Sequence, residues 1–519
     1  MTERTRTDTQ TSLLGLSVDP IVFFTSASLI VIFVGAGVLF TDSLGTITAA
    51  VQNFIVSRFG WLYIIVVGAF PALAIYLMLS RFGSVRLGQD DDRPKYSTFA
   101  WLSMLYGAGL GIGLVFYGVA EPMLHYVTPP LGTGGTPEAA EQALLFTMFH
   151  WGIHPWALYI VLGLAMAYAS FRQGLPLTIS STLVPLIGDR ANGPIGKAVN
   201  ILAVFGTLFG LATSLGLGVK QIASGLNFVA NVQDSIGLQI GLIALITSLA
   251  TLSVVAGLDK GIKRLSIANS IFAVSLLAFV IIAGPTQAVF DALPQNLGVY
   301  LQNLVGTTFF DEAYRGGDWQ AGWTLFYWGW WVSWSPFAGM FIARISRGRT
   351  IREFIAGTMI VPSAITLVWF TGFGNGALAL AQSGAADMVS AVQDNVSTSL
   401  FVLLAQLPMP MISSVLALIV ILLFFVTSSD SASFVIDIIT SGGAENPPVV
   451  QRIFWAVSEG VVAAILLLVG GLGALQTASL ATGLPFTIVL VFVACALLRA
   501  LHRNEGRRMN HITLGVKDA

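Results

Sequence analysis

Charge is what this sequence has least of. Asp, Glu, Lys and Arg make up only 10% of its 519 residues, against about 25% in a soluble globular chain. That shortage excludes a water-soluble enzyme or binding domain. The few charges nearly cancel, to a formal net charge of −1, so no basic field for nucleic acid is present. One cysteine, Cys495, excludes an intrachain disulfide and says little about compartment. The glycine-rich stretch near residue 110 is not followed by Gly-Lys-Ser/Thr, which removes a phosphate-binding loop. No convergent set of acid, base and metal ligands is found, so neither an enzyme nor a cofactor is expected. His150 and His154 suggest a proton relay or a metal pair, but are read as structural. The Thr-rich N-terminus lacks a small-residue cleavage site, and the first apolar run is too long for a signal peptide. A retained first helix is expected.

What the chain has is apolar length. Hydrophobic residues make up 55% of it, with mean hydropathy +0.81. A crossing helix needs about 20 mostly apolar residues. Such runs lie near 21–42, 61–80, 98–126, 142–170, 197–229, 236–257, 265–284, 322–345, 354–374, 411–438, 450–469 and 472–499, about twelve in all. They predict an all-α polytopic membrane protein. The stretch Thr286 to Phe310 is amphipathic and less apolar, and is expected to lie along the interface.

Basic residues fix the orientation. Arg81, Arg86, Arg93 and Lys95 follow the second run, Arg172, Arg190 and Lys197 the fourth, and Lys260, Lys263 and Arg264 the sixth. Arg344, Arg347, Arg349 and Arg352 follow the eighth, Arg452 precedes the eleventh, and Arg499, Arg503, Arg507 and Arg508 follow the last. The opposite loops hold Arg58 and Arg315 and otherwise acids such as Glu138, Asp291, Asp311 and Asp394. The positive-inside rule then places both termini in the cytoplasm, for a multi-pass protein of the plasma (inner) membrane.

Two runs carry breaks. The third holds Gly107-Ala108-Gly109-Leu110-Gly111-Ile112-Gly113, and the eighth Ser333-Trp334-Ser335-Pro336. Small residues also pack membrane helices tightly, but alternating glycine covers several faces and lowers helix propensity. The breaks lie five runs apart, which suggests two five-helix halves of opposite topology, as in secondary transporters. The chain then divides into a cytoplasmic segment 1–19, two leading helices in 20–95, a first repeat 96–285, an interfacial helix and loop 286–320, a second repeat 321–500 and a short cytoplasmic tail 501–519.

Trp328, Trp330, Trp331 and Trp334 lie inside the eighth run, whereas tryptophan normally collects at the membrane interfaces. The spacing of Trp330, Trp331 and Trp334 brings their side chains together on a helix. Indole faces attract a cation without an acid, and aromatic cages suit quaternary ammonium groups. For any single indole the alternative is packing or an interface anchor; Trp328 is the member most open to that reading.

At these residues the chain resembles the betaine/choline/carnitine transporter family. Gly109 to Gly118 followed by Glu121-Pro122 is similar to its third-helix signature. Trp328 to Pro336, continuing through Gly339 to Phe354, resembles its eighth-helix signature. Trp151 to Tyr159 and Thr427 to Ser431 match further motifs. The resemblance covers the whole transmembrane region. It implies a leucine-transporter-like 5+5 inverted repeat after two extra helices, alternating access and a homotrimer. It further implies that Trp330, Trp331 and Trp334 box a trimethylammonium group, with Trp151, Trp156 and Tyr159 a second aromatic set along the pathway and Gly109, Gly111, Gly113 and Phe116 binding the substrate at the broken span. In the family an acid at the position of Gly113 goes with choline and proton coupling. A glycine there favours a zwitterion such as glycine betaine, with carnitine, ectoine and dimethylsulfoniopropionate left open.

The resemblance also implies a sodium site from backbone of Gly107 and Leu110, the hydroxyls of Thr427 and Ser428, and the carbonyl of Phe424. Back-bonding of those hydroxyls to their own helix is the competing reading. A second sodium set matches at Thr207 and Phe337, but Leu211 stands where the family has a hydroxyl, with Thr213 and Ser214 close by. Lys220, inside the fifth run, either replaces an ion, pairs with Asp430, Asp437 or Glu459, or snorkels to an interface. The expected function is sodium-coupled import of a quaternary-ammonium zwitterion across the bilayer. A sodium-independent exchanger or a proton-coupled transporter of carnitine, choline or ectoine-type compounds is the alternative. The short tail has enough basic residues to touch anionic lipid, but not the length of an osmosensor.

Overall fold

A computed structural model describes residues 11–13, 16–109, 111–256, 262–384, 387–444 and 447–515. A two-stranded hairpin, β1 Thr11–Leu13 and β2 Leu16–Val18, precedes an otherwise helical chain. The helices run α1 Pro20–Leu39, α2 Thr41–Leu79, α3 Thr98–Gly109, α4 Gly111–Val127, α5 Pro137–Trp151, α6 Ile153–Ala167, α7 Val184–Ile187, α8 Pro194–Ala230, α9 Ile236–Ala256 and α10 Ile262–Ala283. They continue with α11 Thr286–Thr308, α12 Trp319–Gly322, α13 Thr324–Ile345, α14 Ile351–Phe370, α15 Gly376–Gln382, α16 Met388–Asp394, α17 Ser399–Ala405, α18 Pro410–Thr440 and α19 Val449–Gly515.

Among the described residues, 9 helices are long and apolar enough to cross a membrane. The expected spans missing from that number have physical reasons. α19 is two arms joined at Gly470 (φ −168°, ψ 21°) and Gly471 (φ 60°, ψ −137°). The third span falls into α3 and α4 on either side of Leu110, which lies outside the described residues, and Gly111 has φ +26°. α13 is long enough, but its Trp, Tyr, Ser and Gly residues make it less apolar.

The expected break in the eighth span is absent. α13 stays helical through Pro336. Proline removes the N–H that would reach the carbonyl four residues back, here that of Val332. The Ser335 hydroxyl donates to that carbonyl at 2.7 Å. The side chain thus replaces the missing backbone donor, and the helix has no need to open.

α13 is the buried axis of the bundle: all but Phe341 and Arg344 of its residues are buried. Glycines on its neighbours admit it closely. A Cβ at Gly206 would lie 3.1 Å from the Ser333 carbonyl, one at Gly210 3.1 Å from the Trp334 nitrogen, and one at Gly163 2.9 Å from the Gly339 carbonyl. Close backbone approach of this kind substitutes for a hydrophobic drive in lipid. α1 is the opposite case, with Val31, Ile32, Val38 and Leu39 exposed. α11 exposes Phe290, Leu297, Leu301 and Val305. Its inner face holds the α5–α6 break. The Tyr300 hydroxyl accepts from the Ile153 nitrogen at 3.0 Å, and Thr308 meets His154 Nε2 at 2.8 Å.

Basic loops gather at one end of the bundle. The segment after α2 is stitched to the one after α13 by Leu87 N to Arg349 O (2.8 Å), Gly348 N to Leu87 O (2.7 Å) and Ile351 N to Val85 O (2.9 Å). Arg349 lies over the Trp101 ring at 4.0 Å. Arg172 grips Glu505 of α19 with Nε at 3.0 Å and Nη2 at 3.1 Å, and Asp90 with Nη1 at 2.6 Å. The Arg172 and Glu505 side chains are 8% and 7% exposed. Removing one partner strands the other's charge. Arg172→Met is expected to destabilise the protein by about 3 kcal/mol, and Arg172→Met with Glu505→Leu to recover most of that loss. The unfolding midpoint of the purified protein checks both.

Candidate functional site

The aromatic cluster forms where α4, α5 and α13 meet. Trp330 and Trp331 stack at 4.6 Å with a 13° interplanar angle, and Trp334 stands edge-on to Trp330 at 6.4 Å. Trp151, the last residue of α5, comes edge-on to Trp331 at 4.9 Å and to Trp330 at 6.2 Å. Tyr117, Tyr327 and Phe370 close around them. The indole nitrogens are fixed from outside the cluster. Trp330 donates to the Gly210 carbonyl at 3.1 Å, and Trp331 to the His150 carbonyl at 2.9 Å. Trp334 Nε1 is buried with no partner among the described residues. Trp328 is turned the other way, stacked on His154 at 5.7 Å and edge-on to Phe149 at 5.0 Å. It packs, as its weaker case in the sequence allowed.

The second aromatic set does not stay together. Trp151 joins the α13 indoles, whereas Trp156 and Tyr159 on α6 pair with each other at 5.8 Å and 90°. Among the described residues neither has a ring contact with the cluster. Both are buried, with Trp156 Nε1 and Tyr159 Oη unpartnered among the described residues.

Gly113 lies between two of the indoles. A Cβ built there would be 2.7 Å from Trp151 Cη2 and 2.7 Å from Trp330 Cη2. It sits two residues past Gly111, whose φ of +26° departs from helical geometry, and the leading N–H groups of a helix that begins there carry the positive end of its dipole. The arrangement therefore offers indole faces to a cation and a helix start to an anion, side by side. Phe116 is buried one turn on, edge-on to Tyr117 at 4.9 Å. Gly107 and Gly109 end α3, and Leu110 lies outside the described residues.

The oxygen-bearing residues are partly in place. Ser428 Oγ lies 3.5 Å from a Cβ built at Gly111, so α18 does face the break in the third span. Thr427 Oγ1 donates to the Leu423 carbonyl at 2.9 Å, with the Phe424 carbonyl at 3.2 Å. Phe424 is buried. Of the second set, Thr207 Oγ1 is buried without a partner among the described residues, and Phe337 packs on Trp334 at 5.5 Å. Thr213 is engaged by Leu475 O and Ser479 Oγ, each at 2.8 Å, and Ser214 by Gly210 O at 3.4 Å. Neither stands in for a hydroxyl at Leu211.

Lys220 pairs with none of the three acids proposed for it. Asp430 is held by Ser253 at 2.6 Å, Asp437 by Gln451 at 3.0 Å with Arg452 at 3.8 Å, and Glu459 by two serines. Lys220 Nζ lies instead 3.9 Å from a Cβ built at Gly471, beside the bend of α19.

Sequence reasoning noticed Glu121 only as part of a signature. It is 0% exposed and holds the cluster. Oε2 accepts from Trp151 Nε1 at 2.7 Å and from the Tyr327 hydroxyl at 2.5 Å. Oε1 meets His150 Nδ1 at 2.7 Å and His125 Nε2 at 3.2 Å. His150 passes the contact on to Thr324 Oγ1 at 3.0 Å. Ligand atoms of Glu121, His125 and His150 all lie within 4.8 Å of one another, a donor set of the kind that can hold a transition metal. The sequence signal was a carboxylate in an apolar run with histidine four residues on. The partners on α5 and α13 were not legible.

With this geometry in view, similarity to known proteins is extensive. The family model described as betaine/carnitine/choline family transporter matches residues 21–506. A glycine betaine transporter of Acinetobacter baylyi is 44% identical over 504 residues, covering 97% of this chain and 76% of that one. A high-affinity choline transport protein of Escherichia coli K12 is 42% identical over 495 residues, covering 95% and 73%. Among solved structures, a Na+-coupled sialic acid symporter in a substrate-bound outward-open state covers 84% of this chain and 87% of its own, at 14% identity and a TM-score of 0.43.

Glu121→Ala leaves two buried donors and two imidazoles without their common partner. It is expected to destabilise the protein by about 3 kcal/mol or more. Glu121→Gln keeps an acceptor oxygen and should lose less than half as much. Thermal unfolding of the two variants checks the order.

Proposed function

This chain belongs to the betaine/carnitine/choline transporter family, and from that premise we propose that it imports glycine betaine or a close zwitterionic analogue by sodium symport. It is a multi-pass membrane transporter and not an enzyme. The observation that carries the substrate reading is the placement of Gly113 between Trp151 and Trp330 at the start of α4. A quaternary ammonium group has no N–H to donate, so it needs polarisable faces, each worth about 0.5–2 kcal/mol. A carboxylate on the same substrate needs donors, which the first turn of α4 supplies without a fixed charge. A net-neutral site suits a net-neutral substrate. An aspartate at 113 would suit a bare cation, and it would have to displace two indoles to fit.

Sodium coupling rests on Ser428 facing the break beside Gly111, where backbone oxygens freed from helical bonding suit a hard cation. Gly107, Leu110, Phe424 and Thr427 complete the proposed shell, and Thr207 with Phe337 form a second. Thr427 must then turn away from its own helix carbonyl as the ion arrives. The two five-helix halves alternate access around this site, with both termini in the cytoplasm and three copies associating. A sodium-independent exchanger is favoured by the missing hydroxyl at Leu211 and by Lys220, whose charge no acid answers among the described residues. Trp156 and Tyr159 are assigned to the substrate's path rather than to the box.

Labelled glycine betaine should accumulate in proteoliposomes only with an inward sodium gradient. Uptake or counterflow unchanged in potassium alone sinks the symport reading in favour of exchange. Trp330→Leu, Trp331→Leu and Trp334→Leu should each weaken betaine binding by about 2–30-fold, with the fold preserved. Gly113→Ala and Gly113→Asp should both cut betaine uptake by more than about tenfold, because the Cβ alone collides with both rings. Retained uptake in Gly113→Ala but not Gly113→Asp would put the cause in charge rather than shape.

A further inference from the structure

On the side of α18 away from the aromatic cluster, a second polar centre lies inside the bundle. Glu459, on the first arm of α19, is 0% exposed, and Asp430 of α18 is 1% exposed. Glu459 Oε2 lies 3.0 Å from Ser429 Oγ and 3.0 Å from Ser433 Oγ. Glu459 Oε1 and Asp430 Oδ1 are both buried and meet no hydrogen-bond partner among the described residues. An ionised carboxylate with an empty oxygen in hydrocarbon is among the costliest arrangements a membrane protein can hold.

The hydroxyls say where the proton is. Ser433 Oγ lies 2.8 Å from the Ser429 carbonyl, an atom that only accepts. A serine has one O–H. When it serves that carbonyl, the contact from Ser433 to Glu459 needs a proton from the carboxyl. A protonated Glu459 satisfies both contacts: it donates to Ser433 and accepts from Ser429. Ionised Glu459 leaves Ser433 to choose between two acceptors.

The surroundings favour one shared neutralisation over a fixed ion pair. Glu459 meets Ser429, the residue next to Asp430 in α18, and two like charges near one another disfavour double ionisation. α9 contributes Ser253 to Asp430, and Thr247 beside Gly460, and its sequence holds no charged residue. α1, packed on the same arm through Phe23 and Trp455, holds none either. Arg452, on the same arm, lies 3.8 Å from Asp437 of α18. Lys220 of α8 is at the far bend, near Gly471.

We propose that Glu459, framed by Ser429, Ser433 and Asp430, is a proton-binding site that exchanges its proton during transport. The ligand is a proton rather than sodium, because the hydroxyl geometry asks for a donor at the carboxyl. Release requires Ser433 to turn its O–H from its own helix to the carboxylate, so the protonation state is tied to the packing of α18 against α19.

Infrared spectroscopy of the reconstituted protein tests this independently of the substrate carried, by reading the C=O stretch of protonated carboxyls across pH. Glu459→Gln should remove one such band. Ser433→Ala takes away the donor that serves the ionised carboxylate, a stronger bond than the one the neutral acid makes to the same hydroxyl. It should move the titration of that band, and the pH profile of betaine uptake, together toward higher pH by about one unit. A band that survives Glu459→Gln overturns the proposal. So does a Ser433→Ala variant in which neither moves, or in which the band moves and the uptake profile does not. Should Glu459→Gln fail to fold, Ser433→Ala alone decides.

Discussion

A carboxylate removed from all water has to be satisfied by its neighbours, and Glu121 is satisfied by four of them. Its two oxygens collect Trp151, Tyr327, His150 and His125. Those partners come from α4 itself, the end of α5 and the upper half of α13. The aromatic cluster is built on the same three elements. Trp151 cannot swing without giving up its bond to Glu121, and Trp331 is fixed through the carbonyl of the residue that also meets Glu121. The acid therefore does not sit among the indoles as a counter-ion. It stands behind them and sets where their faces point, which leaves the face of the site uncharged.

That division shows how a chain so poor in charge could hold both charged ends of the zwitterion proposed for it. The indole nitrogens of Trp330, Trp331 and Trp151 are spent on backbone carbonyls of α8 and α5 and on Glu121. The π faces are what remains. Glycine at 113 lets two ring edges approach the start of α4, and the helix start supplies the opposite polarity. Each part is weak, but all are fixed before any ligand arrives, and preorganisation is where affinity is usually lost or kept.

Much of this was legible in the sequence and some was not, for identifiable reasons. The apolar runs correspond to helices because length and hydropathy are local properties. The break at Gly111 was legible from alternating glycine. The expected break at Pro336 was not borne out, because a proline's effect depends on whether a neighbour replaces its missing donor, and Ser335 does. Lys220 was matched with three acids that turned out to have partners of their own. Sequence shows that a buried charge needs a partner, but not which helix brings one. Glu121 was under-read for the same reason. Its partners His150, Trp151 and Tyr327 lie between 29 and 206 positions away. Trp156 and Tyr159 share a motif with Trp151, yet Gly152 separates the helices that carry them, and the kink sends them elsewhere.

α18 carries polar side chains on more than one face. Ser428 looks toward the break in the third span, while Ser429 and Ser433 look toward α19 and Asp430 toward α9. These residues are neighbours in one rigid helix, so α18 cannot shift against the third span without also shifting against α19. The ion proposed for the first face would pull on hydroxyls and carbonyls there. Such a displacement would reach the second face as a change in the distance between two serines and a carboxyl. Hydroxyl bonds switch over tenths of an ångström, and a buried carboxyl tolerates few arrangements. A small movement of α18 is therefore enough to change which atoms hold the proton at Glu459. The energetic link between the two faces needs no moving loop and no charged relay, only a helix stiff enough to be in two places at once.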